Sequence, residues 1–131
     1  MGFADDIADL LATGGIATSI FRGDLPERPN VALCVTQTAA PAGQHTFGSA
    51  VGASPLAYRR CQIRCRAEGY ASADTMMQSV HAALDGLRTR TVNGKTYLWI
   101  TGDSSPYYIG TDEQERPLFA CNYTAARSHG T

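Results

Sequence analysis

The chain has 131 residues, of which 44% are hydrophobic and 18% are charged, a composition typical of one globular domain and not of a disordered chain. Eleven Lys and Arg residues against twelve Asp and Glu residues give a net charge of -1, so no overall charge favours nucleic acid or a membrane surface. Four cysteines are too few for a disulfide scaffold, and no apolar run reaches the ~20 residues of a membrane span. Because the aspartate-rich N-terminus lacks the basic segment of a secretion signal, we expect synthesis in the cytoplasm with reduced thiols.

The N-terminal part of the chain predicts a short helix followed by two strands. Apolar side chains recur at helical spacing in four residues: Phe3, Ile7, Leu10 and Leu11. Asp5 and Asp6 lie in the first turn of this helix, where the helix dipole favours negative charge, and a Gly-Gly pair at 14–15 ends it. We expect a short strand over residues 19–22, and the continuous apolar run 31–36 predicts a strand inside a sheet.

The segment 39–56 is rich in Gly, Ala, Ser and Pro. A stretch of this length without secondary structure is uncommon inside a compact domain and is usually functional or disordered. Its largest apolar side chain is Phe47. We therefore expect a long hairpin loop over 39–56, with Phe47 as an anchor that docks on a neighbouring molecule.

Residues 60–67 alternate with period two, as in a strand with one buried face. One side carries apolar and thiol groups, in Cys61, Ile63, Cys65 and Ala67. The other side carries polar and cationic groups, in Arg60, Gln62, Arg64 and Arg66. This arginine face has three interpretations: a solvated face of a half-covered sheet, a subunit interface that pairs with carboxylates, or a surface towards nucleic acid phosphates.

The C-terminal half predicts a second helix and four strands. Ser72 can cap a helix that ends between Leu84 and Leu87. The Asn-Gly pair at 93–94, with β-prone runs on both sides, predicts a tight hairpin that returns through Trp99. Two more strands are predicted, at 107–109 and 119–123. The order of helices and strands predicts an α+β fold, with two helices packed on a largely antiparallel sheet.

The last two strands are joined by a mixed-charge turn that contains Asp112, Glu113, Glu115 and Arg116. As an isolated feature it is a hairpin tip. An acidic tip and a basic strand face on one subunit also suit a head-to-tail contact, in which unlike surfaces meet around a closed ring.

The residues that could carry catalysis or hold a metal form no complete site. Cys61 and Cys65 lie about 13 Å apart on one strand face, too far to share a zinc ion, so we interpret them as core thiols together with Cys34 and Cys121. His81 and Asp85 have the i, i+4 spacing of two metal ligands or an acid-base pair, but the plainer interpretation is a local contact on a helix edge. We predict no catalytic residue, no cofactor and no metal.

Several segments of the sequence, taken in their order and spacing, resemble one protein family. These are the strand 61–67, a spacer with Tyr70, the Ala-Leu-x-Gly-Leu pattern at 83–87, the Asn-Gly hairpin, and the segments 105–112, 116–119 and 122–123, with a late Arg127. In this order and spacing, residues 57–127 resemble the minor capsid proteins of long-tailed bacteriophages known as tail-completion or tail-terminator proteins. The long loop over 39–56 departs from that pattern.

The resemblance implies a small α+β domain that closes into a ring, typically of six copies, without enzymatic activity or cofactor. Such a ring ends the tail tube and joins it to the DNA-filled head, at the neck of the virion. The implied partners are other copies of the chain, a tail tube protein, a head-completion or connector protein, and DNA that passes through the lumen without sequence-specific binding. We expect contacts with neighbours or the lumen to involve Phe47, Arg60, Gln62, Arg64, Arg66, Asp112, Glu113 and Arg116.

Three alternatives remain open at this point. A head-completion or neck connector role is the nearest to a terminator. A small nucleic-acid-binding domain would use the arginine face together with Tyr58 and Tyr70. A metal-dependent enzyme would use His81 and Asp85.

Overall fold

The computed structural model describes residues 2–16, 18–40 and 56–128. This part of the chain contains two helices, α1 (Phe3–Thr13) and α2 (Tyr70–Leu84). Its strands are β1 (Ser19–Arg22), β2 (Ala32–Thr38), β3 (Leu56–Arg66), β4 (Leu87–Val92), β5 (Lys95–Gly102), β6 (Tyr107–Thr111) and β7 (Pro117–Ser128). The predicted α+β class is confirmed, and the expected loop over 39–56 lies almost wholly outside the described residues.

The strands form one sheet in the order β1-β2-β3-β7-β5-β4, and β6 pairs with the first part of β7. Only β1 and β2 run parallel among the described pairs, and the other pairs are antiparallel. The longest ladder joins β3 to β7, from Leu56 opposite Ser128 to Arg66 opposite Leu118. These two long strands are the centre of the sheet. β1 and β4 are the outer strands of this order, and β6 pairs only with β7 among the described strands.

Both helices pack on the same face of the sheet, where the core lies. Their buried apolar side chains include Ile7, Leu11, Met77, Val80 and Leu84. The sheet contributes Leu33, Val35, Cys61, Ile63, Cys65, Ile100 and Tyr123. The predicted alternation over 60–67 is confirmed, because the thiols and Ile63 face the helices and the even-numbered side chains of β3 face away.

The second helix differs from its sequence prediction at both ends. It begins at Tyr70 and not at Ser72, because Gly69, with extended backbone at φ -134°, is the residue before the first turn. It ends at Leu84, since Gly86 has a φ of +82° that a helix does not accommodate. Leu87 is therefore the first residue of β4, and the Ala-Leu-x-Gly-Leu pattern covers the end of a helix, a turn and the start of a strand.

The β4–β5 hairpin matches its prediction. Asn93 and Gly94 have φ values of +51° and +78°, the backbone of a type I′ turn, which suits the right-handed twist of the two strands. The hairpin is also fastened to α1. The carboxylate of Asp6, which is fully buried, accepts hydrogen bonds from Asn93 Nδ2 (2.7 Å), Lys95 Nζ (3.0 Å) and the Tyr97 hydroxyl.

These hydrogen bonds determine the ionisation state of the Asp6 carboxyl group. Burial by itself raises the pKa of a carboxyl group. The hydrogen bonds from Tyr97, Asn93 and Lys95, together with the charge of Lys95, outweigh that effect, so the pKa of Asp6 lies below its ordinary value of 3.8. Asp6 is therefore an ionised residue of the interior and not only a partner of the helix dipole.

Candidate assembly surfaces

The arginine face of β3 lies on the side of the sheet away from the helices. Arg60 is its most exposed member: its Nε donates to Thr124 Oγ1 (3.1 Å), and Asp103 lies 3.8 Å away. Gln62 is half-buried between Thr36 of β2 and Asn122 of β7. This end of the face is a polar surface from which Arg60 can reach a neighbour.

The other two arginines of this face are bound within the chain. Arg66 is only 3% exposed, and its Nε and Nη2 donate to the carbonyl oxygens of Asn30 (3.1 Å) and Pro29 (2.6 Å). Arg64 Nη2 donates to the carbonyl oxygen of Gly23 (3.1 Å). These guanidinium groups therefore hold the segment that precedes β2 against β3.

The mixed-charge turn is organised by Asp112 and Arg116. The Asp112 carboxylate accepts from the backbone N–H of Gln114 (3.0 Å) and from both the backbone N–H (2.9 Å) and the Nε (2.7 Å) of Arg116. Arg116 is 8% exposed, and its Nη1 also donates to the Glu27 carbonyl oxygen (2.7 Å) and to Asn30 Oδ1 (2.9 Å). Glu113, by contrast, is exposed and has no hydrogen bond or ion pair with the described residues.

The structure brings two predicted surfaces together. Arg64 and Arg66 line the same open groove as Asp112, Glu113 and Arg116. The acidic tip and the basic end of the arginine face are therefore one mixed-charge region. A head-to-tail contact needs its unlike surfaces on different parts of the molecule, so these two cannot be the opposite sides of such a contact.

His81 and Asp85 make the local contact that their spacing suggests, with 3.6 Å between His81 Nε2 and Asp85 Oδ2. Both groups also tie the end of α2 to the sheet: His81 Nδ1 lies 3.0 Å from the Tyr123 hydroxyl, and Asp85 Oδ1 accepts from the Gly102 N–H (2.8 Å). A Cβ at position 102 would lie 2.7 Å from the His81 ring, which explains the glycine. Within the described ranges, no group of three or more His, Cys, Asp and Glu residues could hold a metal ion.

The four thiols are free and buried, as the sequence predicts for core cysteines. Burial raises the pKa of Cys61 and of Cys65 to about 12. These thiols are therefore protonated at neutral pH and are not nucleophiles.

The aromatic residues considered for nucleic acid binding lie on different sides of the molecule. Tyr58 contacts Trp99 on the arginine face, with ring centroids 6.3 Å apart. Tyr70, which is 57% exposed, begins α2 on the other face and contacts Tyr108 and Phe119 at 5.2 and 5.0 Å. The two tyrosines therefore do not form one stacking surface with the arginines. Phe47 lies outside the described residues.

Two further cations lie on the first strand of the β4–β5 hairpin. Arg88 and Arg90 are exposed on β4, an outer strand of the sheet. Neither guanidinium group has a hydrogen bond or ion pair with the described residues. The Arg-Thr-Arg pattern was visible in the sequence, but its place at the sheet edge depends on the strand order.

The sequence of the chain matches that of a known protein family. The sequence profile of the family described as "Bacteriophage tail terminator protein" matches residues 5–128, which is nearly the whole chain. The chain belongs to the tail terminator family. The match also covers the N-terminal helix and first strands, where the sequence analysis found no family motif. This tail terminator is therefore a structural protein of the phage tail.

Two solved structures are similar to this tail terminator. One is a chain of the "Virion of native gene transfer agent (GTA) particle", with a TM-score of 0.72 and 14% identity over 98% of this chain and 95% of that chain. A second has a TM-score of 0.59 and 12% identity over 96% of this chain and 90% of that chain. At these identities the likeness shows the fold alone. No protein of curated function matches the chain.

Neither α1 nor α2 is long and apolar enough to cross a bilayer.

Proposed function

We propose that this tail terminator forms a ring, of six copies, that ends the tail tube and joins it to the DNA-filled head at the neck of the virion. The observation that carries the proposal is the family match over residues 5–128. In this role the ring binds the last ring of the tail tube on one side and a head-completion protein on the other, and DNA passes through its lumen.

The geometry of the sheet supports assembly into a ring. Its outer strands β1 and β4 are on opposite sides of the molecule, and each has one edge without a strand partner among the described residues. A contact between unlike surfaces on opposite sides of a subunit generates a closed ring when its rotation closes. We keep Arg60, Gln62, Arg64 and Glu113 as candidates for contacts, with Phe47 as a candidate anchor on a neighbouring copy or the tail tube. Arg66, Asp112 and Arg116 act by shaping the region around them.

The arginine face gives less support to the nucleic-acid-binding alternative. The Arg66 guanidinium donates to backbone carbonyl oxygens, and its side chain is almost fully buried. Phosphate binding by arginine requires exposed donors and produces a strong dependence on salt concentration. DNA binding by the monomer that weakens steeply with added salt would favour this alternative.

The experiment that tests the proposed role is deletion of the gene in the phage or prophage that carries it, followed by negative-stain electron microscopy. Abnormally long tails beside separate, DNA-filled heads are the expected result. Normal-length tails beside empty or leaking heads would assign the protein to the head side of the neck, as a head-completion or connector protein. Intact, joined virions would overturn the proposal.

A further inference from the structure

The edge strand β4 carries positive charge that no acidic side chain among the described residues neutralises. Arg88 and Arg90 are both exposed and unpaired among the described residues. Two acidic groups near this strand are already engaged: Asp85, three residues before Arg88, binds the Gly102 N–H, and Asp6 of α1 binds Asn93 in the β4–β5 hairpin. We call Arg88 and Arg90 the cationic edge.

The mixed-charge turn at 112–116 carries the opposite charge. Glu113 and Glu115 are exposed, and neither carboxylate has a hydrogen bond or ion pair in the described part of the chain. The one cation of the turn, Arg116, is bound by Asp112. Asp24 and Glu27, which are also exposed, follow β1 nearby, and Arg28 is the exposed cation among them. We call Glu113 and Glu115 the acidic pair.

The two surfaces lie at opposite ends of β7. The acidic turn immediately precedes Pro117, the first residue of β7, whereas the hairpin that contains β4 is joined to β7 near Ala126 and Arg127. At ~3.3 Å per residue, the ten residues from 117 to 127 separate them by about 30 Å along the strand, with β5 and β4 adding a further lateral offset. The cationic edge therefore cannot meet the acidic pair of its own chain.

The charges also disfavour a symmetric contact between two β4 strands. Arg88 and Arg90 would then face the same residues of the other copy, and like charges placed opposite each other destabilise strand pairing. A contact between the cationic edge of one copy and the acidic pair of another avoids this repulsion. Such a contact is heterologous, the type that generates rings.

We propose that the cationic edge of one copy binds the acidic pair of the next copy, so that Arg88 and Arg90 meet Glu113 and Glu115 at every contact around the ring. The proposal rests on the proposed function, because it assigns the surfaces and the chemistry by which the copies of the ring join. It commits to a second copy of this chain as the partner of both surfaces.

The test uses charge reversal in phage that lacks the gene and is complemented from a plasmid. One variant carries R88E and R90E, a second carries E113K and E115K, and a third carries all four changes. Each of the first two places like charges opposite each other at every contact, which weakens the contact roughly a hundredfold or more. We expect both to give long, unjoined tails, and the variant with all four changes to restore joined tails of normal length.

A co-expression experiment adds a stricter condition. Copies that carry R88E and R90E can alternate with copies that carry E113K and E115K, because each contact then again joins opposite charges. In a ring with an even number of subunits, the mixture should restore joined tails that neither variant restores by itself. A matched control, Gln78→Lys with Ser79→Lys, adds charge to exposed positions of α2 and should complement like the wild type.

The outcomes separate the two proposals. If the deletion phage without any plasmid already gives joined tails of normal length, the ring role itself fails. If the wild type complements and the charge-reversed variants complement equally well, the ring role stands and this contact is wrong. If both double variants fail and neither the four-change variant nor the mixture recovers, charge pairing between these surfaces is also wrong. Circular dichroism should show native folds throughout, because none of the four side chains has a hydrogen bond or ion pair with residues 2–16, 18–40 or 56–128.

Discussion

The two ends of the sheet are each held by a buried charged group, but the groups have opposite sign. At the end that contains the β4–β5 hairpin, the Asp6 carboxylate accepts hydrogen bonds from Asn93, Lys95 and Tyr97. At the other end, the Arg66 guanidinium donates to the carbonyl oxygens of Pro29 and Asn30. In both cases a buried charge fixes a turn or hairpin that lies beside an exposed charged surface.

The two buried charged groups differ in the kind of partner that they bind. Asp6 faces side chains, among them the cation Lys95, so its cluster is an ion pair with added hydrogen bonds. Arg66 faces backbone carbonyls that cannot change their charge. A guanidinium remains protonated at any pH at which the protein is handled, whereas a carboxylate can be neutralised by acid. The two ends should therefore depend differently on substitution and on pH.

The largest effect is expected for Asp6→Ala. The change leaves Lys95 without its buried counter-ion and the Tyr97 hydroxyl without its acceptor, which should lower the free energy of unfolding by about 4 kcal/mol. Urea denaturation followed by circular dichroism measures it. The matched control is Asp9→Ala, because Asp9 binds the same Asn93 from a more exposed position and should cost less than about 1 kcal/mol. Equal losses in the two variants would show that burial of Asp6 does not matter.

A somewhat smaller effect is expected for Arg66→Ala. The carbonyl oxygens of Pro29 and Asn30 lose their donors, so the free energy of unfolding should fall by about 3 kcal/mol. Arg66→Lys keeps the charge but cannot reach both oxygens with a planar fork, and should recover only part of the loss. Arg60→Ala, on the same face of β3 but with a side chain that is 44% exposed, is the control and should cost less than about 1 kcal/mol.

The burial of Arg66 shows how far the role of a strand residue could be predicted from sequence. Alternation over 60–67 correctly separates the side chains that face the helices from those that face away, because a strand has period two. It cannot tell which of the outward residues is covered. Arg66 is covered by residues 29 and 30, which precede β2, and only the pairing of β2 with β3 brings that segment to it.

The burial of Asp6, like that of Arg66, could not be predicted from its local sequence. A first-turn aspartate is fully explained by the helix dipole, so nothing local suggests that it is buried. Its partners Asn93, Lys95 and Tyr97 lie almost ninety residues later, on a hairpin whose local turn was predictable but whose contact with α1 was not. Turns and the buried faces of strands could be predicted from short-range sequence patterns. The buried charged groups could not, because their burial depends on which helices, strands and loops contact each other in the fold.

The exposed charges of the proposed contact were similarly beyond local inference. The turn at 112–116 was recognisable from its composition, but the sequence does not show that Asp112 and Arg116 bind each other and leave Glu113 available. Arg88 became notable only when β4 proved to be an outer strand. Strand order is a property of the whole sheet and has no signature within one strand.

The smallest effect is a difference in acid sensitivity between the two ends, measured with Asp6→Asn and Arg66→Lys. The pKa of Asp6 is lower in the folded protein than its ordinary value of 3.8, because the hydrogen bonds and the charge of Lys95 outweigh the opposing effect of burial. Its contribution to the free energy of unfolding is thus fully present above about pH 4 and is lost as the pH falls through the folded pKa. The stability gap between wild type and Asp6→Asn should be constant from pH 7 to about pH 5 and narrow below pH 4.

The gap between wild type and Arg66→Lys should stay constant over the same range, because Arg66 and its carbonyl partners do not titrate there. Urea denaturation curves at successive pH values give both gaps with one method. Asp112, which binds Arg116, is a carboxylate near Arg66 that does titrate in acid. Because Asp112 is present in both the wild type and Arg66→Lys, the effect of its protonation largely cancels from the difference between their stabilities. A gap for Asp6→Asn that did not narrow in acid would mean that the Asp6 contacts act through shape and hydrogen bonding, and that the negative charge contributes nothing to holding the hairpin.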